Sequence, residues 1–321
     1  MARRAVVDIS GLATIETVLP EFDQSLRAAG RSPRTIQSYV ESCTGFDRYL
    51  ASTGRTRRLG EIGRSDVDAW VVHLRERFSP ATVGVRYRSL QAFFKWCVNS
   101  GELAHNPMVG TEPPRVPVVP VDFVTEDELR SLLAVMEVKE RTFDDWRDAA
   151  LVRLFYDTGC RLSEVVGLRL QLREDDDRAC GLLDLEQGAV LVLGKGGRWR
   201  QATFGVKARA ALRRYIAART THPLAASDWL WLGSRGKPLT QSGIAQMLRR
   251  RCQQAGIRPI NPHQFRHARA HDALARGMSE GDAMTFFGWR SREMLARYGA
   301  ALAEERALEA ARRQGAPGDR L

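Results

Sequence analysis

Apolar positions recur at helical spacing through the first hundred residues. Ile36, Tyr39, Val40, Cys43 and Phe46 fall three or four apart, which puts them on one face of a helix opened by Ser32-Pro33. The same period over residues 12–29 predicts a helix ahead of it. Asp66 or Ser65 opens a third, and Ser79-Pro80 opens a fourth that carries Leu90, Phe93, Phe94, Trp96 and Cys97. These segments predict a small four-helix domain over residues 1–106. Five of the 13 prolines then cluster at Pro107, Pro113, Pro114, Pro117 and Pro120. Proline has no N–H to donate and biases its predecessor to extended geometry, so residues 107–121 read as a semi-rigid linker. Thr125, with Glu128 three residues on, fits a capping box that opens a new helix through Leu129, Leu132 and Leu133.

Residues 122–321 form the second predicted domain. Helical periodicity covers about 206–219, 240–256, 261–276, 279–287 and 301–313. One stretch breaks the pattern. Ala189-Val190-Leu191-Val192-Leu193 is a short apolar run, Gly194-Lys195-Gly196-Gly197 is a turn, and Arg198 to Phe204 is a second extended run, so the three together read as a β-hairpin. The expected fold class is mainly α with a small β-hairpin or sheet (α+β). The last helix, 301–313, is rich in Ala, Glu and Arg, with Leu302 and Leu308 as its main large apolar residues, and makes a poor core helix.

Charge narrows the functional classes. The chain carries +11, with +4 on residues 1–121 and +7 on residues 122–321, so no single basic tail accounts for it. That is the footprint of a nucleic-acid binder. A GC-rich genome would also produce it, since Arg far outnumbers Lys. Exposed basic positions on the first domain, Arg31, Arg34, Arg86, Arg88 and Lys95, suit phosphate contacts, although each singly also fits a solvated helix face. The five cysteines are scattered and form no C-x-x-C pair, which argues against a disulfide framework or a zinc cluster. No run of about 18 apolar residues predicts a membrane span. The expected location is cytoplasmic, with no membrane partner.

Local chemistry offers several candidates. The Gly-rich turn around Lys195 lacks the Ser or Thr of a P-loop and presents one flexible cation, which fits a solvated turn as well as a groove-reaching lysine. Asp175-Asp176-Asp177 reads as a solvated loop. His263, His267 and His271 share a helix face but lack the H-E-x-x-H pattern, and no metal is expected. Arg161 follows a helix-breaking Gly159 and begins the next helix, with Glu164 one turn on to hold it. Arg266 lies in another helix start, after Pro262. Two arginines near helix N-termini can converge as a phosphate clamp, because the planar guanidinium binds two phosphate oxygens at once. Each alone also fits a structural role.

The ordered set Arg161, Lys195, His263-x-x-Arg266, Trp289 and Tyr298 resembles the tyrosine recombinase (phage integrase) family. The motifs that carry it are Tyr156-Asp157-Thr158-Gly159-Cys160-Arg161-Leu162-Ser163-Glu164, His263-Gln264-Phe265-Arg266-His267, and Phe287-Gly288-Trp289 followed nine residues on by Tyr298. The likeness spans the whole chain. It implies an N-terminal helical SAM-like core-binding domain, a linker and a catalytic domain. Most bacterial members carry His where Trp289 stands and some carry Trp; an indole N–H donates one hydrogen bond but cannot carry a proton. Phe265 replaces the commoner Leu. No arm-binding domain is expected, which resembles the simpler Xer-like or transposon-type members.

The resemblance implies a site-specific DNA recombinase. Tyr298 would attack a scissile phosphate to give a 3′-phosphotyrosine and a free 5′-hydroxyl. Arg161, Arg266, His263 and Trp289 would surround the non-bridging oxygens, and Glu164 would orient Arg161. Lys195 would protonate the leaving oxygen, and His263 would take the Tyr298 proton. No cofactor, metal or ATP is implied. The implied partners are double-stranded DNA with specific recombination sites, a homotetramer in the synaptic complex, and in some systems a second recombinase. The helix 301–313 would dock on a neighbouring protomer; packing on its own protomer is the plainer alternative. Two other functional readings use the same residues: a type IB topoisomerase-like nicking–closing enzyme, and a non-catalytic DNA-binding protein. The other five tyrosines, Tyr39, Tyr49, Tyr87, Tyr156 and Tyr215, sit in helical apolar patterns and read as core.

Overall fold

A computed structural model describes residues 13–117, 122–171, 181–194, 198–233 and 236–289, together with Ser291 and Arg312. The chain divides into two compact units, Met1–Val119 and Pro120–Leu321. In the first unit α1 (Ile15–Ala28), α2 (Pro33–Ser52), α3 (Arg64–Arg75) and α4 (Pro80–Asn99) are joined by short connections, one of them a single 3₁₀ turn at Leu59–Glu61. Ser32 and Ser79 cap α2 and α4 by accepting from the Thr35 and Thr82 amides, and a proline follows each at N1. Its missing N–H leaves no helical hydrogen bond unmade there. The helices close over an aromatic core in which Phe22 meets Phe93 edge-on at 5.3 Å and Phe46 lies over Trp70 at 5.1 Å. Burial of each such ring contributes about 1.5–3 kcal/mol.

Three expectations shift slightly. Helix α3 starts at Arg64 with Gly63 as its cap, ahead of Ser65 and Asp66. Asp66 acts from inside the first turn, accepting the Gly63 N–H at 2.9 Å and an Arg55 bond at 2.6 Å. Tyr39 and Tyr156 are half-buried, whereas Tyr49, Tyr87 and Tyr215 are core residues. Arg31, Arg34, Arg88 and Lys95 are exposed as expected, while Arg86 is half-buried with its guanidinium 4.1 Å above the Phe78 ring.

The second unit is built around α6 (Phe143–Thr158), which is buried along most of its length. Around it lie α5 (Glu126–Ala134), α7 (Leu162–Val166), α8 (Val206–Arg219), α9 (Gln241–Gln254), α10 (Pro262–Ala275) and α11 (Glu280–Phe287). A four-stranded sheet runs in the order β1 (Leu168–Arg169), β2 (Gly181–Asp184), β3 (Ala189–Gly194), β4 (Arg198–Thr203). The first pair is parallel and the others are antiparallel. A two-stranded ribbon pairs β5 (Leu232–Gly233) with β6 (Lys237–Pro238). The expected hairpin is β3–β4, whereas β1, β2, β5 and β6 were not anticipated.

A charged knot ties α6 to α9. Asp148 is wholly buried, yet its carboxylate takes Arg147 at 2.7 Å and Arg251 at 2.8 Å. A buried carboxylate with both oxygens in charge-assisted bonds avoids the penalty of a lone buried charge. The start of this unit is fastened too: Asp122 accepts from Arg258 and from Gln264 on α10, each at 2.5 Å. Among the described residues no helix is long and apolar enough to cross a membrane. The acidic loop Asp175–Asp177, Lys195 and Tyr298 lie outside the described residues, as does the predicted helix 301–313 apart from Arg312.

Candidate active site

Helix α6 ends at Gly159 in the left-handed conformation, φ +58°. Glycine is required there twice over: a Cβ would be strained at that φ and would stand 2.9 Å from the Phe287 ring. The sharp stop lets Arg161 cap α7. Its main-chain N–H donates to Glu164 Oε2 at 2.7 Å, and its Nη1 donates to Glu164 Oε1 at 2.8 Å. One carboxylate therefore fixes both the backbone and the side chain of Arg161, which keeps 28% of its side chain exposed.

The N-terminus of α10 brings the second arginine. Asn261 caps the helix by accepting from the His263 and Gln264 amides, with Pro262 in the first turn. His263 and Arg266 are three apart and lie on one side of the helix. Arg266 is 1% exposed. Its Nη1 donates to the Gly159 carbonyl at 2.9 Å and its Nη2 to the Phe287 carbonyl at 2.5 Å. Arg161 Nη2 reaches the next carbonyl, that of Gly288, at 3.4 Å. The two guanidinium groups, 105 positions apart in sequence, thus meet at consecutive peptide units where α11 ends. Trp289 follows directly, buried, with its ring stacked on Phe287 at 4.7 Å and the Arg266 guanidinium 5.6 Å from its centre.

The electrostatics follow from this crowding of cations. Burial, then Arg266 and Arg161, push the His263 pKa below its ordinary value, so its imidazole is neutral near pH 7 and able to accept a proton. Burial would raise the Glu164 carboxyl, but Arg200 and Arg161 more than offset it and hold the group ionised. His267 packs edge-on to His263 at 4.5 Å. Burial, His263 and Arg266 press its pKa down to about 4, against a smaller opposing effect of Asp122. His271 leaves this row and stacks on Phe123 at 4.6 Å.

A pH dependence of stability follows. The unfolded chain protonates His267 near pH ~6.5, and the folded protein only near 4. Its contribution to stability is therefore complete above the unfolded value and is lost as the pH falls toward the folded one. In thermal melts, His267→Gln is expected to flatten the fall in Tm over that window relative to wild type. An unchanged acid slope would mean that the ring is not held neutral in the fold.

Of the six residues expected to act together, the structure brings Arg161, His263, Arg266 and Trp289 to one place. Lys195 and Tyr298 lie outside the described residues. One participant was missed. Arg200 on β4 donates to Glu164 Oε2 at 2.7 Å and to the Phe286 carbonyl at 2.8 Å. A signal was available in the hairpin: strand alternation puts Arg200 on the same face as Ala202, which points into the core.

Comparison with known proteins agrees with this geometry. Residues 122–305 match the family model described as "Phage integrase family", and residues 18–101 match "Phage integrase, N-terminal SAM-like domain". Among curated relatives, the tyrosine recombinase XerD of Shewanella oneidensis is 28% identical over 261 residues, which cover 80% of this chain and 82% of the relative. The tyrosine recombinase XerC of Lactobacillus delbrueckii is 27% identical over 251 residues, covering 77% and 81%. Among solved structures, the XerH site-specific recombinase in a post-cleavage complex with its palindromic difH substrate superposes with a TM-score of 0.68 at 18% identity, over 92% of this chain and 83% of that one. A lambda integrase dimer bound to a COC′ core site gives 0.66 at 16% identity, over 89% and 77%. At those identities the structures speak for the fold alone, while the family model spans more than half of the chain. The convergent arginines therefore sit within a fold and a sequence pattern with one common source: the chain belongs to the phage integrase family of tyrosine recombinases.

Proposed function

We propose that the protein is a site-specific DNA recombinase that cuts and rejoins strands through a 3′-phosphotyrosine. The observation that carries this reading is the meeting of Arg161 and Arg266 at adjacent carbonyls, with a neutral His263 near enough to feel both charges. Two guanidinium groups aimed at one place suit a phosphate whose oxygens gain charge in the transition state. Tyr298 Oη attacks phosphorus, its proton passes to His263, and the P–O5′ bond breaks. The electron pair leaves on O5′, which takes a proton from Lys195. The phosphodiester energy is kept in the P–O–Tyr bond, so the reverse step on a second strand needs no ATP. The family position makes the Trp289 indole N–H a further donor to the phosphate. Specific duplex sites, a tetrameric synaptic assembly and docking of residues 301–313 on a neighbouring protomer belong to the same proposal.

The test uses duplex fragments of the source genome carrying random nicks, so that a short cleaved strand diffuses away and religation fails. A denaturant-resistant adduct on DNA 3′ ends, formed with EDTA present, is expected, and sequencing the trapped ends maps the junction. Absence of any adduct would leave a DNA-binding protein without chemistry. Relaxation of supercoiled DNA with no two-site product would instead favour nicking–closing activity.

A further inference from the structure

We propose that Arg200 is a positioning residue that seats the lysine-bearing hairpin against the two-arginine cradle. This rests on the reading of Lys195 as proton donor above. Arg200 lies five residues after Lys195 in the chain, and its side chain is only 9% exposed. Its guanidinium reaches three points outside its own strand: Nη2 meets Glu164 Oε2 at 2.7 Å and Cys160 Sγ at 3.7 Å, and Nη1 meets the Phe286 carbonyl at 2.8 Å. Glu164 is the carboxylate that holds Arg161. Phe286 precedes the two carbonyls that receive Arg266 and Arg161. One fork therefore joins the hairpin to the segment bearing Arg161 and to the segment bearing Trp289.

Two further features fit this role. Gly288 leaves room for the stem, since a Cβ there would come within 3.2 Å of Arg200 Cδ. On β3–β4 Arg200 pairs with Val192 and Arg198 with Gly194, so anchoring Arg200 sets the register of the ladder up to the residue before Lys195. A buried ion pair adds little net stability over a well-packed apolar pair of the same shape. What the arrangement supplies is placement, and arginine supplies it because its planar fork holds donors aimed in fixed, diverging directions.

The experiment separates positioning of a proton donor from support of the fold. Cleavage at the mapped junction is timed on ordinary DNA and on DNA whose bridging 5′ oxygen is replaced by sulfur. In the second substrate the P–S bond breaks and the pair leaves as a thiolate. A thiol ionises near pH ~8.5, so that leaving group needs no donated proton. Arg200→Ala is expected to slow cleavage of ordinary DNA by about 10²-fold, the scale of general acid catalysis, and to cut sulfur DNA within a few-fold of wild type. Lys195→Ala should show the same pattern. Arg200→Lys should fall between, since an ammonium cannot span Glu164 and the Phe286 carbonyl together. Arg200→Ala left slow on sulfur DNA, beside a rescued Lys195→Ala, would overturn this inference alone. An unrescued Lys195→Ala would overturn the donor assignment and this inference with it. Loss of cooperative melting in both Arg200 variants would also overturn it, making Arg200 a residue of the core.

Discussion

Tyr298→Phe is expected to abolish the covalent adduct on nicked DNA while leaving DNA affinity within a few-fold of wild type. Phenylalanine keeps the ring and removes only the oxygen that would bond to phosphorus. A fall in cleavage of at least about 10³-fold, or ~4 kcal/mol of barrier, is the minimum expected for loss of a nucleophile. The described tyrosines of the second unit are poor substitutes. The Tyr215 hydroxyl is buried, donates to the Leu230 carbonyl at 2.9 Å, and has its pKa pushed up to about 12. Burial, with nearby acids, likewise raises Tyr156. Both phenols resist ionisation, and the fully buried Tyr215 hydroxyl cannot meet a duplex. Gel separation under denaturing conditions reads the adduct, and an adduct of undiminished yield in Tyr298→Phe would move the nucleophile elsewhere.

The two arginines are expected to fail differently. Arg161→Ala should cut the rate by about 10²–10³-fold, the scale of one lost oxyanion donor, with Tm close to wild type. Its side chain is partly exposed, and Glu164 keeps Arg200 as a partner. Arg266→Ala should lose activity and stability together. It strips two buried carbonyls, those of Gly159 and Phe287, of their donor. Each unsatisfied group costs roughly 1–3 kcal/mol, and each kcal/mol lowers Tm by about 2–4 °C in a unit of this size. Arg266→Lys should restore neither in full, because a compact ammonium cannot serve two diverging carbonyls and a phosphate at once. Melts and cleavage rates measured on the same preparations decide the matter: equal losses of Tm in the two Ala variants would contradict this division of labour.

Much of this architecture was legible in sequence because its determinants are local. Ser32-Pro33, Ser79-Pro80 and the Thr125–Glu128 box announce helix starts through bonds that span three residues. The β3–β4 hairpin was visible for the same reason, its strands being separated by only three residues of sequence. Asp66 shows the limit even here. Its residue type marks a helix start, yet whether it caps from outside or from within the first turn depends on where the backbone turns. The strands β1, β2, β5 and β6 are two to four residues long and carry no period of their own; they exist because partners elsewhere in the chain complete their hydrogen bonds.

For the site, Arg161, His263, Arg266 and Trp289 were singled out by the resemblance of their ordered motifs to a known family, since each residue by itself also fitted a structural role. Sequence alone could not divide their labour. That Arg266 is a buried strut and Arg161 a partly open one, that Glu164 answers to two arginines, and that Asp148 sits wholly buried between Arg147 and Arg251 all depend on contacts between residues far apart in the chain. A charged side chain has the same covalent structure on the surface and in the core. Only tertiary packing sets how much water it loses and which opposite charge replaces that water, and those two quantities decide whether it supports the fold, tunes a neighbour or faces the DNA.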